Sequence, residues 1–408
     1  MHEIKKTGIE WLPEISKDFS VGYVKQYFNI SKDLSNEGEP ERVLKLARSG
    51  IVEKDVTMNE GQMAASYAGY NKVLVGDLLL NPMDLYSGAN CNVSQLDGVI
   101  SPAYLNLRAK KVQTVVPKFY DYYFKTQYWI MAMFAHGKGV SFDNRWTLNN
   151  DSLRSYEIPV LPYLSQKRIV QKIQSEEQNV DALIANQQAQ IEKLKQYKQS
   201  LITEVVTKGL DPDVPMKDSG VEWIGKIPNS WQIVRFRFIA KITTGNQDTQ
   251  NATTDGNYPF YVRSPIVEKS DTYTFEGPGI LMAGDGAGAG RIFHLVDGKY
   301  AVHQRVYRFY DFKFIVPELL KLFLETQFST VMDYGSAKTT VPSVRLPMIQ
   351  DFPVCIPTKA EQMMMITYLK NKIKKIDSLV AIKQEKIDKL NDYKKSLIYE
   401  YVTGKKEA

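Results

Sequence analysis

Two short phrases, Arg48-Ser49 and Arg263-Ser264, stand at corresponding places in this 408-residue sequence, and each joins a permanent cation to a hydroxyl donor. That combination suits contact with a phosphate. Two further stretches have a similar make-up: GKGVSFDNR, with Lys138 and Arg145, and GSAKTTVPSVR, with Lys338, Thr339 and Arg345. Lys54, Ser87, Asn90, Gln247 and Arg291 complete the set of candidate nucleic-acid contacts. The amides of Asn90 and Gln247 have the donor and acceptor pattern for adenine in the major groove, and Arg145 and Arg291 have that for guanine. The plainer alternative is that Arg-Ser frames a strand end in each copy.

Catalytic chemistry finds less support. GDGAGAGR (Gly284 to Arg291) fits neither G-x-G-x-x-G nor G-x-x-x-x-G-K-[ST], which leaves a plain turn or a backbone able to approach a phosphate. NPMD (Asn81 to Asp84) lacks the second proline and the aromatic residue of the amino-methyltransferase motif and reads as a loop. His2, His136, His294 and His303 have no carboxylates or cysteines at ligand spacing, so no metal site is expected. His303 reads as a half-buried strand residue. Cys91 and Cys355 are far apart, which suits a reducing compartment and neither a disulfide framework nor a thiolate cage. With no Ser-His-Asp, Cys-His, helicase or nuclease-like constellation, the chain is expected to be non-catalytic and to bind no cofactor itself.

A composition of 43% apolar and 24% charged residues is that of a soluble protein, without a membrane-length apolar run or a secretory leader, and points to the cytoplasm. A net charge of +6 has the sign expected of a nucleic-acid binder, though it is modest for this length.

The elements that must carry these residues are written twice. TGIEWL (Thr7 to Leu12) returns as SGVEWI (Ser219 to Ile224), RSGIVEK (Arg48 to Lys54) as RSPIVEK (Arg263 to Lys269), and YKQSLITEVVTKG (Tyr197 to Gly209) as YKKSLIYEYVTGK (Tyr393 to Lys405). Preserved order with drifting spacing indicates tandem duplication of one unit, a variable globular part followed by a long helix. Proline-free stretches near 165–208 and 361–404 carry apolar residues at alternating steps of three and four, predicting two helices roughly 65 Å long that pair as a coiled coil. The first seam runs through Val170, Ile173, Val180, Ile184, Ile191, Leu194, Leu201 and Val205; the second through Ile366, Leu369, Ile373, Ile376, Val380, Ile387, Leu390, Leu397 and Tyr401. The short link at 209–215 makes the pair antiparallel. Gln187 and Lys383 are polar breaks near the two midpoints, where they can fix register. A second apolar line (Ile169, Leu183 and Tyr197; Met365, Leu379 and Tyr393) either covers the globular parts or receives a partner.

The segments 1–160 and 211–355 combine short β-rich runs, among them VLVGDLLL, WQIVRFRFIAKI and YAVHQRVYRFY, with one helical stretch each. The expected fold class is α+β: two mixed α/β domains (1–160 and 211–355) alternating with long helices (161–210 and 356–408), pseudo-twofold through duplication. The two domains share a frame and differ in their loops.

This organisation resembles the specificity subunit of type I restriction–modification systems along essentially the whole chain. The carriers are the proline-containing leads IPVLPYLSQKRIV and FPVCIPTKAEQMMMI, the YK-x-SLI-x-E-x-VT helix ends, SGVEWIGKIPNSW, and GDLLLNPMDLYSGANCNVSQLDGVISPAY. Met363 to Met365 replace the basic residues usual after Glu-Gln in the lead. The resemblance implies a non-catalytic subunit whose two target-recognition domains each read half of a bipartite site on double-stranded DNA. It also implies helices that space those domains and dock methyltransferase subunits, two of them, which bind S-adenosylmethionine, and further restriction subunits that use ATP and Mg. The rival is a coiled-coil scaffold whose domains bind proteins.

Overall fold

The computed structural model describes residues 3–36, 40–47, 49–55, 66–83, 85, 91–111, 113–139, 146–335 and 342–408. They form two compact units, Met1–Gln187 with Glu385–Ala408, and Gln188–Gln384, so that each long helix is shared between them.

Among the described residues the first unit has strands β1 (Ile4–Ile9), β2 (Leu12–Ser16), β3 (Ser20–Tyr23), β4 (Phe28–Ser31), β5 (Val43–Ala47), β6 (Gly50–Glu53), β7 (Asn71–Val73), β8 (Leu78–Leu80), β9 (Cys91–Val93), β10 (Gly98–Ile100), β11 (Leu105–Ala109) and β12 (Glu157–Val160). The second has β13 (Met216–Asp218), β14 (Lys226–Pro228), β15 (Gln232–Arg235), β16 (Lys241–Thr244), β17 (Tyr258–Tyr261), β18 (Val267–Ser270), β19 (Phe275–Glu276), β20 (Gly279–Ala283), β21 (Phe293–Val296), β22 (Lys299–Val302), β23 (Val306–Tyr310) and β24 (Pro353–Ile356). In the first unit β1 pairs with β2 and β3 with β12, and two sheets run β6-β5-β10-β7 and β4-β11-β8-β9. The second unit repeats every pairing with each strand number raised by twelve. Even the parallel pair is kept, β10 on β5 and β22 on β17.

The centres of the sheets are continuous apolar runs. LLL of β8 and GILMA of β20 are buried throughout, as expected of strands covered on both faces. One cover is a helix that opens on proline, Pro117–Trp129 in the first unit and Pro317–Gly335 in the second, where the missing N–H costs nothing. Phe119, Tyr120, Tyr123 and Phe124 sink fully into the first core, and Leu320, Phe323, Leu324 and Phe328 into the second.

The long helices span Tyr163–Lys208 and Lys359–Val402. In the first unit Ile169, Val170 and Ile173, near the start of one, share a core with Leu397, Ile398, Tyr401 and Val402 at the end of the other. In the second unit Leu201, Ile202 and Val205 share a core with Met365, Leu369 and Ile376. The pair is therefore antiparallel within each unit. Lys394 binds Asp181 at 2.9 Å and Lys198 binds Asp377 at 2.8 Å along the flanks. Along the seam Val180, Gln187, Ile191, Ile376 and Ile387 are buried, whereas Ile184, Leu194, Val380, Lys383 and Leu390 are half-buried. Lys383 donates to Gln190. The second apolar line divides: Ile169 and Met365 enter the two cores, while Leu183, Tyr197, Leu379 and Tyr393 are about half exposed.

Both helix leads are locked by a buried glutamine. Gln166 accepts the N–H of Val116 at 2.7 Å and donates to the carbonyls of Thr114 and Leu161. Gln362 accepts from Val316 at 2.9 Å and donates to Phe314 and Pro357. The second helix adds a capping box between Thr358 and Glu361. Burial pushes the Glu361 carboxyl up, but hydrogen bonds from Thr358 and Trp231 outweigh it and hold the group below its ordinary value.

Candidate nucleic-acid interface

The loops at one edge of the second unit converge on His303. This side chain is 3% exposed, lies in a bridge beside Gln247, and accepts the N–H of Arg305 through Nδ1 at 3.0 Å. The residues 303 to 306 form a β-turn closed by the Val306 N–H on the His303 carbonyl at 2.9 Å, so Gln304 and Arg305 occupy its two exposed corners. The preceding strand end is pressed against the turn: the Gln247 carbonyl accepts the Gln304 N–H at 2.8 Å, and the Gln247 N–H reaches Val302. Gly245 makes this approach possible, because a Cβ there would stand 2.0 Å from the Val302 carbonyl oxygen.

Carboxylates order the cations and amides of this edge. Asp285 binds Arg263 at 3.0 Å and lies 3.8 Å from Arg305. Asp248 accepts from the Gln304 side chain at 2.7 Å. Gln247, by contrast, is engaged at both ends of its amide, donating to Thr272 Oγ1 at 3.0 Å and accepting from Ser270 Oγ at 3.2 Å. GDGAGAGR folds into a tight turn with its own backbone bonds, Ala289 to Gly286 and Gly290 to Ala283, and bridges to the 342–344 segment through Gly286 and Val344.

Burial pushes the His303 imidazole below its ordinary pKa, and Arg263 and Arg305 act in the same direction against Asp248 and Asp285. His294 is lowered chiefly by burial, opposed by its bond to the Ser264 backbone. Both rings thus stay neutral where an unfolded histidine already takes up a proton. As pH falls below about 6.5 the unfolded chain binds protons that the native unit refuses, and stability is lost until the lowered native values are passed. Thermal unfolding of the second unit is expected at lower temperature at pH 5.5 than at pH 7.5, and His303→Asn flattens that dependence. A pH-independent midpoint in the wild type contradicts the assignment.

Of the residues singled out from sequence, Gln247, Arg263 and Ser264 belong to this edge. Arg291 is exposed and lines a groove of about 430 Å³ with Lys198, Gln199, Ile202, Glu325 and Asp377. Arg345 is exposed just before the short helix Leu346–Gln350. In the first unit Ser49 is exposed on the turn between β5 and β6, and Lys54 is half-buried with its N–H on Val43. Lys138 is exposed and bridged through its backbone to Thr147. Arg48, Ser87, Asn90, Arg145, Lys338 and Thr339 lie outside the described residues. Sequence reasoning did not single out Asp248, Asp285, Gln304 or Arg305. YAVHQRVYRFY reads as one strand, yet it breaks at His303 into β22 and β23; without Gly, Pro, Asn or Asp the corner sends no turn signal.

Cys91 and Cys355 are both buried, and desolvation raises both thiols, Cys355 to about 12. Among the described residues no group of three or more potential metal-binding side chains occurs.

Residues 228–404 match the family model described as Type I restriction modification DNA specificity domain. The EcoDI type I restriction enzyme specificity subunit of Escherichia coli is 27% identical over 38% of this chain, an alignment spanning 34% of that relative. The MjaVIII specificity subunit of Methanocaldococcus jannaschii is 22% identical over 87% of this chain and 81% of its own length. Among solved structures, a chain from work on complex assembly and conformational transition of the type I R-M system superposes with a TM-score of 0.70 at 13% identity, covering 95% of this chain and 98% of that one. The HsdS subunit from Thermoanaerobacter tengcongensis gives 0.51 at 13% identity, covering 96% and 98%. The duplicated α+β architecture with its paired long helices is thus the fold these solved structures share, and residues 228–404 carry the similarity to the type I restriction modification DNA specificity domain.

Proposed function

We propose that this chain is the DNA-reading subunit of a type I restriction–modification complex, each unit recognising one half of a bipartite target and the long helices setting the spacing between the halves. The carrying observation is the repeated strand order on which unlike loops are displayed. A common frame presents two surfaces to the same kind of ligand, while different corner residues make the two half-sites different. The chain itself catalyses nothing in this reading. Methyltransferase subunits, two by the duplication, supply S-adenosylmethionine chemistry on an adenine flipped from the duplex, and restriction subunits supply ATP-driven cleavage. Leu183, Tyr197, Leu379, Ile382 and Tyr393, exposed on the helices, offer apolar surface for docking those partners.

The test is methylome sequencing of a host with and without the gene. One bipartite adenine-methylated motif disappears on deletion, and exchange of residues 211–355 for those of another such protein alters one half of the motif only. An unchanged methylome, or alteration of both halves, overturns the reading.

A further inference from the structure

The geometry points to Gln304 and Arg305 as the base-reading pair of the second unit, Gln304 for an adenine and Arg305 for a guanine, with Asp248 and Asp285 as positioning residues; this rests on the DNA-reading function proposed above.

The polar groups of this edge are unequally committed within the fold. Gln247 uses its carbonyl on Ser270 and its amide nitrogen on Thr272, so its two-point pattern is occupied within the fold. Gln304 is different. Its Nε2 gives one hydrogen to Asp248, which leaves the second hydrogen and Oε1 for the N7 and N6 positions of adenine. Arg305 meets Asp285 through Nε, so the terminal fork, the part that matches guanine O6 and N7, remains for a ligand, and its side chain is 65% exposed. Arg263 takes the shorter bond to Asp285 and stands beside the pair as a phosphate contact.

Position supports chemistry. Both residues are turn corners, and the turn is fixed from beneath by buried His303 and from the side by Gln247. A reader held this way loses little conformational freedom on binding. The first unit has the same turn between β10 and β11, Ser101 to Tyr104, closed by the Tyr104 N–H on the Ser101 carbonyl at 3.1 Å. Its corners are Pro102 and Ala103, which offer no hydrogen bond to a base edge. Equivalent turns with such unlike corners are what two different half-sites require.

The experiment uses the full chain assembled with its methyltransferase subunit and a randomised duplex library, followed by sequencing of the bound fraction. Wild type enriches a bipartite motif. Arg305→Ala relaxes one guanine and Gln304→Ala one adenine, both in the same half, each losing on the order of ten- to a hundredfold in discrimination at that position. Arg305→Lys, which keeps the charge and loses the fork, relaxes the same guanine. Retained motif with both alanine variants indistinguishable from wild type overturns the inference and leaves the function standing. So does weakening uniform across all sequences, the mark of a phosphate contact. Failure of wild type to enrich any motif overturns the function itself. The variants are at exposed corners, and unchanged melting curves separate these outcomes from misfolding.

Discussion

Gln362→Ala lowers the stability of the second unit by about 3 kcal/mol, the cost of stranding the buried carbonyl of Pro357 together with the part-buried Val316 N–H and Phe314 carbonyl. For a unit of this size that is a fall of roughly 6–12 °C in its melting transition. The side chain is 2% exposed and makes three hydrogen bonds: its oxygen receives Val316, and its nitrogen serves Phe314 at 2.7 Å and Pro357 at 3.0 Å. The clamp also restrains Phe314, whose φ of 69° is a left-handed conformation that a bulky residue holds only under constraint. Gln362→Glu keeps the acceptor but faces two carbonyls with no donor, and is expected to be no better than alanine. Gln166→Ala has the matching effect on the first unit, through Val116, Thr114 and Leu161. Calorimetry resolves the shifts, and hydrogen exchange at Val316 gives the local readout. Unaltered melting together with retained protection of that amide refutes the role given to the glutamine.

Gly245→Ala destabilises the second unit by about 1–3 kcal/mol and, under the DNA-reading function proposed above, lowers affinity for its half-site more than tenfold. The new methyl group meets backbone on every near side, 2.0 Å from the oxygen and 2.4 Å from the carbon of Val302, and 2.6 Å from the oxygen of His303. Backbone atoms of paired strands cannot swing aside as the end of a flexible side chain can. Relief comes only by parting the 245–247 segment from the turn, which breaks the bond between the Gln304 N–H and Gln247 and unfixes both corners. Gly220→Ala is the control, since its φ of 73° carries the left-handed penalty but nothing lies within 4 Å of the added atom. Wild-type affinity and motif for Gly245→Ala, with only the control's loss of stability, defeat this account.

The sequence revealed duplication, the long helices and their direction because each rests on a pattern spread over many residues. The observed starts at Tyr163 and Lys359 fall within two residues of those expected from periodicity. Short strands were harder to separate. VLVGDLLL divides at Gly76 into β7 and β8, and WQIVRFRFIAKI breaks at the 3-10 turn Phe236–Phe238 between β15 and β16. The first corner has a local cause, the left-handed Gly76 and the Asp77 carboxylate that accepts the Leu74 N–H, whereas the second, with no Gly, Pro, Asn or Asp, is placed by tertiary pairing. The interface was legible only in part. A carboxylate that orders two arginines, such as Asp285, is distant in sequence from both, and Gln247 and Gln304 differ only in which neighbours claim their amides.

The first core includes Leu397, Ile398, Tyr401 and Val402, whereas everything the second core needs lies between residues 188 and 384. During translation the later unit can therefore close while the earlier one still waits for its last apolar side chains to leave the ribosome. Contacts of such sequence separation are slow to form and leave hydrophobic surface uncovered meanwhile. The unit that begins first in the sequence is thus the last to have all its core residues synthesised.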